Sequence, residues 1–308
     1  MQFLASYVMR GRMQAILVIT VTALLSLIFF PLSYLSSAAV ALVALRNGYR
    51  SCVEVMVGAT VATSLLSLLL VGSLTTGAGF VLVLWLPVAL LALHLGFTAN
   101  MAMNLLRAAL AAAAVVVAFY LLLDDPVFWW RDLLLGILNE IADNGHAELS
   151  ALLLPGLDDL ASVMSGLVAV AALMQWLCGL YLARWWQAEL YNPGGFGRDF
   201  RQLRLGRPMI AATLLLLLLA MVEMTTLSQI AEELLLVAVA VVTLQGLAVV
   251  HGVAFNLEAN RFWLAGLYLL LIFALPQMVI VLAMFGVVDN WFDFRLFWQG
   301  KGRKEGEL

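Results

Sequence analysis

Apolar runs of 18 or more residues recur along this 308-residue sequence, and they restrict the fold more than any other feature. At 1.5 Å per residue, each run is long enough as an α-helix to cross roughly 30 Å of hydrocarbon. Lipid offers the backbone no hydrogen bonds, so such runs must be helical, and they lack the alternation of a membrane barrel. Hydrophobic residues make up 64% of the chain and charged residues 11%. The sequence therefore predicts an all-α, polytopic transmembrane bundle of about 8–9 helices, with one interfacial amphipathic helix.

Nine apolar segments are predicted as helices, and the whole chain, 1–308, is interpreted as a single multi-spanning membrane domain. The segments are 13–31, 34–45, 52–73, 79–97, 101–123, 159–184, 208–228, 233–255 and 262–288. The second is too short to span, so we interpret it as the continuation of a helix pair that turns at Pro31. Residues 124–158 form an external interfacial segment, 184–208 a basic loop, 159–288 contain the further helices, and 289–308 form a polar tail.

The arginines predict the orientation of the chain, because short loops rich in Lys and Arg stay on the cytoplasmic side. In this threading one side carries Arg10, Arg12, Arg46, Arg50, Arg107, Arg184, Arg198, Arg201, Arg204, Arg207 and Arg261. We predict a multi-pass protein of a bacterial inner membrane, with loop 184–208 in the cytoplasm and the acidic loop 124–158 outside. A threading with nine helices puts the basic tail "KGRKEGEL" outside, which disagrees with the cytoplasmic preference of basic segments. The error is expected at the short second segment or at the last one, which contains Pro276.

The outer segment carries start and stop signals of its own. Asp125 is predicted as a helix N-cap, Pro126 as the first helical residue, and Asn144-Gly145 as the C-terminal break, which predicts a helix of about 17 residues. Its apolar side carries Phe128, Trp129, Leu133, Ile137 and Leu138, and Trp129 and Trp130 are expected to anchor it at the level of the lipid headgroups. This helix is predicted to be an interfacial connector, with a lid over an external cavity as the alternative.

Polar side chains within the apolar segments are the candidate ligand sites, and structural hydrogen bonding between helices is the alternative for each. Asn100, Asn104 and Arg107 are spaced to share one helix face near the cytoplasmic side. Three glutamines, Gln175, Gln245 and Gln277, lie near the middle of their helices and would line a midplane cavity if they converge. Glu223 is the candidate for a role linked to protons or cations.

Metal, cofactor and enzymatic chemistry are not predicted. Cys52 and Cys178 are far apart within apolar segments, and no His, Cys or acid stands at metal-ligand spacing. The chain also offers no paired carboxylates and no nucleophile with a base at recognisable spacing.

The stretch "ELYNPGGFGRDFRQLRLGRP" is the longest glycine-rich and basic part of the chain. It has neither the GxxxxGK[ST] pattern nor a preceding strand, so a nucleotide-binding loop is not indicated, and its arginines suit topology better than nucleic acid. We interpret it as a turn followed by a basic stripe, which contacts lipid headgroups or a protein partner. The candidate contacts are Asn192, Pro193, Gly194, Gly195, Arg198, Arg201, Arg204 and Arg207.

Three stretches resemble the YybS-like family of predicted bacterial inner-membrane proteins, whose function is unassigned. These are "FFPLSYLSSAAVALVALRNGYRSCVEVMVGATVATSLLSLLL", "LYNPGGFGRDFRQLRL" and "VVDNWFDFRLF", and Arg204, Asp289, Asp293 and Arg295 belong to the shared pattern. The first stretch, within residues 13–123, is also distantly similar to the S components of energy-coupling-factor transporters and to the rod-shape protein MreD. That resemblance implies a membrane-embedded small-molecule binder that works with separate energising subunits.

The sequence thus favours a protein that binds or transports a small solute together with partner subunits. The alternative is a membrane scaffold that recruits protein partners through the basic loop. The lipid bilayer is a partner in either case, and no nucleic acid is expected.

Overall fold

A computed structural model describes residues 2–222, 225–292 and 294–295. Within these residues every regular element is helical, which confirms the predicted all-α membrane fold. Six helices are long and apolar enough to cross a membrane, namely Leu32–Val71, Thr76–Thr98, Met101–Leu122, Pro126–Tyr191, Thr226–Asn256 and Leu275–Phe292. The protein is therefore a multi-pass membrane protein.

The helices are numbered here in chain order. The first half of the chain forms α1 Gln2–Val8, α2 Arg12–Ser26, α3 Leu32–Val71, α4 Thr76–Thr98, α5 Met101–Leu122, α6 Pro126–Ile141 and α7 Ala147–Leu153. The second half forms α8 Leu157–Tyr191, α9 Gly195–Arg201, α10 Arg207–Ala220, α11 Thr225–Asn256, α12 Arg261–Phe273 and α13 Leu275–Phe292.

Two predicted helices, 34–45 and 52–73, are one element in the structure. They form α3, which runs for 40 residues and changes direction at Gly48, where φ is 75°. Glycine adopts this left-handed conformation without the Cβ clash that other residues suffer. The turn before α3 ends at Pro31, as predicted.

The predicted external helix forms close to its predicted bounds. The side chain of Asp125 accepts a hydrogen bond from the backbone N–H of Phe128 at 2.9 Å, Pro126 is the first residue of α6, and Gly145 has a φ of 90°. The role of Trp130 differs from the prediction. Its ring is buried, and its Nε1 donates to Ser165 Oγ at 2.9 Å, so Trp130 joins α6 to α8 rather than anchoring the helix in headgroups.

By its contacts the chain divides into two compact units. The first comprises Met1–Ala108 and Ala172–Leu203, and the second comprises Ala109–Ala171 and Arg204–Leu308. Two of the three junctions fall inside α5 and α8, and the third lies between α9 and α10.

Ser36, in α3, is the centre of the packing in the first unit. Its hydroxyl donates to the carbonyl of Ile19 at 3.1 Å and accepts from Nε1 of the fully buried Trp85 at 2.9 Å. One side chain therefore joins α2, α3 and α4. Nearby, a Cβ on Gly179 would lie 2.7 Å from the Cβ of Ser37, so α8 approaches α3 as closely as a glycine allows.

One end of the first unit collects basic residues, as the orientation argument predicts. Arg12 pairs with Glu54 at 2.8 Å, and the Arg46 guanidinium lies 4.3 Å from the centre of the Tyr191 ring. The start of α2, the bend at Gly48 and the end of α8 therefore lie together. Which side of a membrane this end faces is still a prediction.

The last predicted helix, 262–288, is wrong as a single element, because α12 ends at Phe273 and α13 begins at Leu275. Side chains of α11 donate to backbone carbonyls of α13 and just beyond it: Thr243 to Val279 at 3.3 Å, Gln245 to Gly286 at 2.8 Å, and Asn256 to Arg295 at 3.0 Å. The residue numbers of donors and acceptors increase in the same order, so α11 and α13 are parallel. The helix between them in sequence, α12, runs in the opposite direction.

The parallel arrangement places the end of α13 beside the end of α11. One additional change of direction brings Arg295 to the end of the second unit where α11 finishes at Asn256. The residues after 295 lie outside the described part of the chain.

Candidate functional site

The basic loop folds into the short helix α9, and it is held from within the first unit. Arg184 pairs with Asp199 at 2.7 Å, and the Tyr181, Phe196 and Phe200 rings lie about 6 Å apart. Gly194 has a φ of 78° and precedes the first turn. Asn192 accepts from Arg198 at 3.4 Å, and Pro193 is exposed.

The predicted basic stripe is helical only in its first half, because α9 ends at Arg201. Arg198 and Arg201 belong to the first unit, and Arg204 and Arg207 to the second. Gly195 was predicted to be a contact, but it is buried, and a Cβ there would lie 2.7 Å from Asn192 Nδ2. Residues spaced by three share one face only within a helix. This helix, α9, ends at the second of the four arginines.

Asn100, Asn104 and Arg107 differ in exposure, although the N–H of Asn104 donates to the carbonyl of Asn100 at 3.1 Å. Asn100 lies before α5, is exposed, and accepts a hydrogen bond from the N–H of Met103 at 2.9 Å, as an N-cap does. Asn104 is buried, and its side chain has no hydrogen-bond partner among the described residues. Arg107 is exposed. The prediction of a shared face places Asn100 inside the helix. In the structure α5 begins at Met101, so Asn100 directly precedes the helix.

The three glutamines have different surroundings. Gln175 is buried in the first unit, where its Oε1 accepts from Ser33 at 3.2 Å and its Nε2 donates to Ser37 at 3.4 Å. Gln245 is buried in the second unit, and Gln277 is exposed. Glu223, like Asp293, lies outside the described residues.

Gln245 belongs to a polar cluster at the end of the second unit where α11 and α13 finish. Its Oε1 accepts from the N–H of Leu205 at 3.0 Å, while Arg204 donates to the carbonyl of Asp289 at 2.9 Å. Asp289 is 1% exposed and pairs with Arg295 at 3.3 Å. These contacts attach the segment before α10 to both parallel helices. Removal of one partner from an ion pair with this little exposure destabilises the protein strongly, because it takes away the compensation for a buried charge.

An apolar cleft of about 1020 Å³ lies beside this cluster, between α11, α12 and α13. Its walls include Val253 of α11, Gly266 and Leu270 of α12, and Phe285 of α13. None of the described residues that line it carries a charged side chain. Its volume is at the upper end of the range for small-molecule pockets, about 300–1,000 Å³. It is therefore the candidate binding site.

One polar contact joins the α11 and α12 walls near this cleft. Nδ1 of His251 lies 2.9 Å from the carbonyl of Leu247, and Nε2 lies 3.1 Å from the hydroxyl of Tyr268. A carbonyl can only accept, so Nδ1 carries hydrogen, and in the neutral ring Nε2 accepts from the tyrosine. This pair is the hydrogen bond that has to break for α12 to swing away from α11 at this level.

Glu233, a second candidate site, is a residue that the sequence analysis missed. It lies eight residues into α11 and is fully buried, and neither carboxylate oxygen has a hydrogen-bond partner within the described residues. The prediction began this helix at residue 233, where a glutamate would be an ordinary terminal residue. The polar stretch "TTLSQ" before it forms the first part of the helix, so Glu233 is carried into the packed interior.

The fold and these sites define a polytopic α-helical membrane protein. Residues 140–290, just under half of the chain, match the model of a family described as "Predicted membrane protein (DUF2232)". Neither a curated protein nor a solved structure matches the chain. The family match supports a membrane protein of unknown function. The resemblances to YybS-like proteins and to S components stay predictions, and residues 13–123 lie outside the matched segment.

Proposed function

We propose that this protein binds a small, largely apolar solute within the membrane, in the cleft between α11, α12 and α13. The observation that carries the proposal is the size and apolar lining of that cleft. Pockets of this volume enclose most of the surface of a small molecule, and apolar walls favour a solute that partitions into lipid.

The walls of the cleft differ in how firmly they are held. Gly246 and Gly286 bring α11 and α13 into backbone contact, so these two helices form a fixed wall. By contrast, α12 has only 13 residues, is preceded by Glu258 with a φ of 51°, and is followed by the non-helical Ala274. Entry of a solute by displacement of α12, with loss of the His251–Tyr268 contact, follows from this difference.

Transport of the solute would require partner subunits. The chain has no GxxxxGK[ST] phosphate loop, so energy from ATP would have to be supplied by another protein. The proposal therefore treats the chain as a non-enzymatic binding subunit of the cytoplasmic membrane, with loop 184–208 facing the cytoplasm.

Gly266 provides the test, because a Cβ at this position meets no atom within 4 Å and the residue lines the cleft. Gly266→Trp should lower the occupancy of a co-purified small molecule at least about fivefold, which corresponds to about 1 kcal/mol. Occupancy is measured by native mass spectrometry after gentle extraction. Gly266→Ala and Gly136→Trp are the controls, since the first adds only a methyl group and the second lies in open space on α6. Equal occupancy in Gly266→Trp and the controls would refute the proposal.

A scaffold function is the second candidate, and the firm attachment of α9 favours it. Arg184 and the aromatic rings hold this helix so that Arg198 is exposed on it. The scaffold predicts that Arg198→Glu releases a co-purifying protein, while Arg131→Glu, on α6, does not. Retention of every partner in Arg198→Glu would count against it.

A further inference from the structure

Three helices of the second unit enclose the Glu233 carboxylate. A Cβ on Gly166, in α8, would lie 2.9 Å from the Cα of Glu233 and 3.0 Å from its Cβ, so the two backbones are almost in contact. The carboxylate faces Ser165 and Gly166, and Tyr120, at the end of α5, is near enough to interact with it electrostatically. The Tyr120 hydroxyl is also buried and lacks a hydrogen-bond partner among the described residues.

The charged surroundings of Glu233 offer no compensation for a negative charge. The ionisable groups that act on this region are Tyr120 of α5, Asp125 at the start of α6, and Glu232 of α11 itself, and the last two are acids. From α8 the neighbours are Ser165 and Gly166, and α10 has no ionisable side chain between Pro208 and Ala220. An ionised carboxylate would therefore be buried among acids, while a protonated one is neutral.

We propose that Glu233 is a proton-binding site in the membrane interior, and that it holds its proton when α8 and α11 are packed as described. The site is separate from the cleft and does not depend on the solute proposed for it. A protonated carboxyl can donate a hydrogen bond, and the Ser165 hydroxyl, which the carboxyl faces, can accept one. Ser165 accepts from Trp130 Nε1 at 2.9 Å and has a second lone pair available.

Loss of this proton has a structural consequence. Gly166 leaves no space for water between α8 and α11 at Glu233, so the ionised form cannot be solvated without separation of the two helices. Proton release and loosening of this helix pair are therefore coupled.

Infrared spectroscopy of the full-length protein in lipid vesicles tests the proposal. The carbonyl stretch of a protonated carboxylic acid should be present at neutral pH, be lost in Glu233→Gln, and be retained in Glu232→Gln, whose side chain is exposed. The band should also be unchanged when sodium replaces potassium. Glu233→Asp should shift the band rather than abolish it, which covers the case in which the glutamine variant does not fold.

Gly166→Ala adds a test of the packing. The extra methyl group separates α8 from α11 and admits water, so the acid band should disappear at a lower pH than in the unmodified protein. Absence of the acid band from the unmodified protein at neutral pH would overturn the proposal. Loss of the band on addition of sodium would also overturn it, in favour of a cation site, and so would a band that persists unchanged in both Glu233→Gln and Glu233→Asp.

Discussion

The contact between α11 and α13 depends on Gly246, and replacing it with alanine gives the sharpest test of the fold. A Cβ at this position would overlap the carbonyl oxygen of Leu282 and lie 2.6 Å from the carbonyl carbon, whereas ordinary contact begins at 3.4 Å. The obstacle is backbone on a rigid helix, so the helices themselves must separate. Relief of the carbon contact alone requires about 0.8 Å.

That displacement has a calculable effect on stability. It would lengthen the bond from Gln245 to the carbonyl of Gly286 from 2.8 Å to about 3.6 Å, which is no longer a hydrogen bond. Overpacking typically costs about 1–3 kcal/mol, and an interhelical hydrogen bond in a membrane contributes about 0.6–1.7 kcal/mol. Gly246→Ala should therefore lower the free energy of unfolding by about 2–5 kcal/mol.

Reversible unfolding in mixed micelles, followed by circular dichroism as the fraction of dodecyl sulfate rises, measures this difference. Gly136→Ala is the matched control, since its Cβ meets nothing and alanine favours the helix by up to about 1 kcal/mol. If the free energies of unfolding of the two variants agree within about 0.5 kcal/mol, the described contact between α11 and α13 is wrong.

Asp289→Asn should destabilise the protein by about 2–3 kcal/mol in the same assay, because it removes a buried carboxylate that pairs with the largely buried Arg295. Asp158→Asn removes an exposed pair and should cost less than about 1 kcal/mol; equal losses would contradict the burial of the first pair. In a variant without native cysteines, single cysteines at Arg198 and Glu148 should react with impermeant maleimide from opposite sides of the membrane. Labelling of both from one side would refute the predicted orientation.

Local signals in the sequence predicted local structure well. The cap of α6 was predictable because Asp125, Pro126 and Gly145 each act within one helical turn. The break between α12 and α13 was expected only as one of two places where the helix count could be wrong. Pro276 marks this place, but hydropathy is similar on both sides of Ala274 and carries no information about direction.

The candidate sites were harder to predict because burial depends on neighbours far away in the chain. Gln245 was a candidate ligand site in the sequence, but its hydrogen-bond partners, Leu205 and Gly286, are about 40 residues distant on either side. Glu233 was missed because its burial follows from Gly166, which belongs to a different helix.

The shortness of α12 also constrains how the protein is made. A helix of 13 residues rises about 20 Å, so it is too short to be retained in the bilayer when it first leaves the ribosome. Stable integration has to wait until the 18 residues of α13 have been synthesised and can pair with α11. The last two helices therefore enter the membrane as a hairpin, and the cleft between α11, α12 and α13 is complete only after translation has passed Phe294.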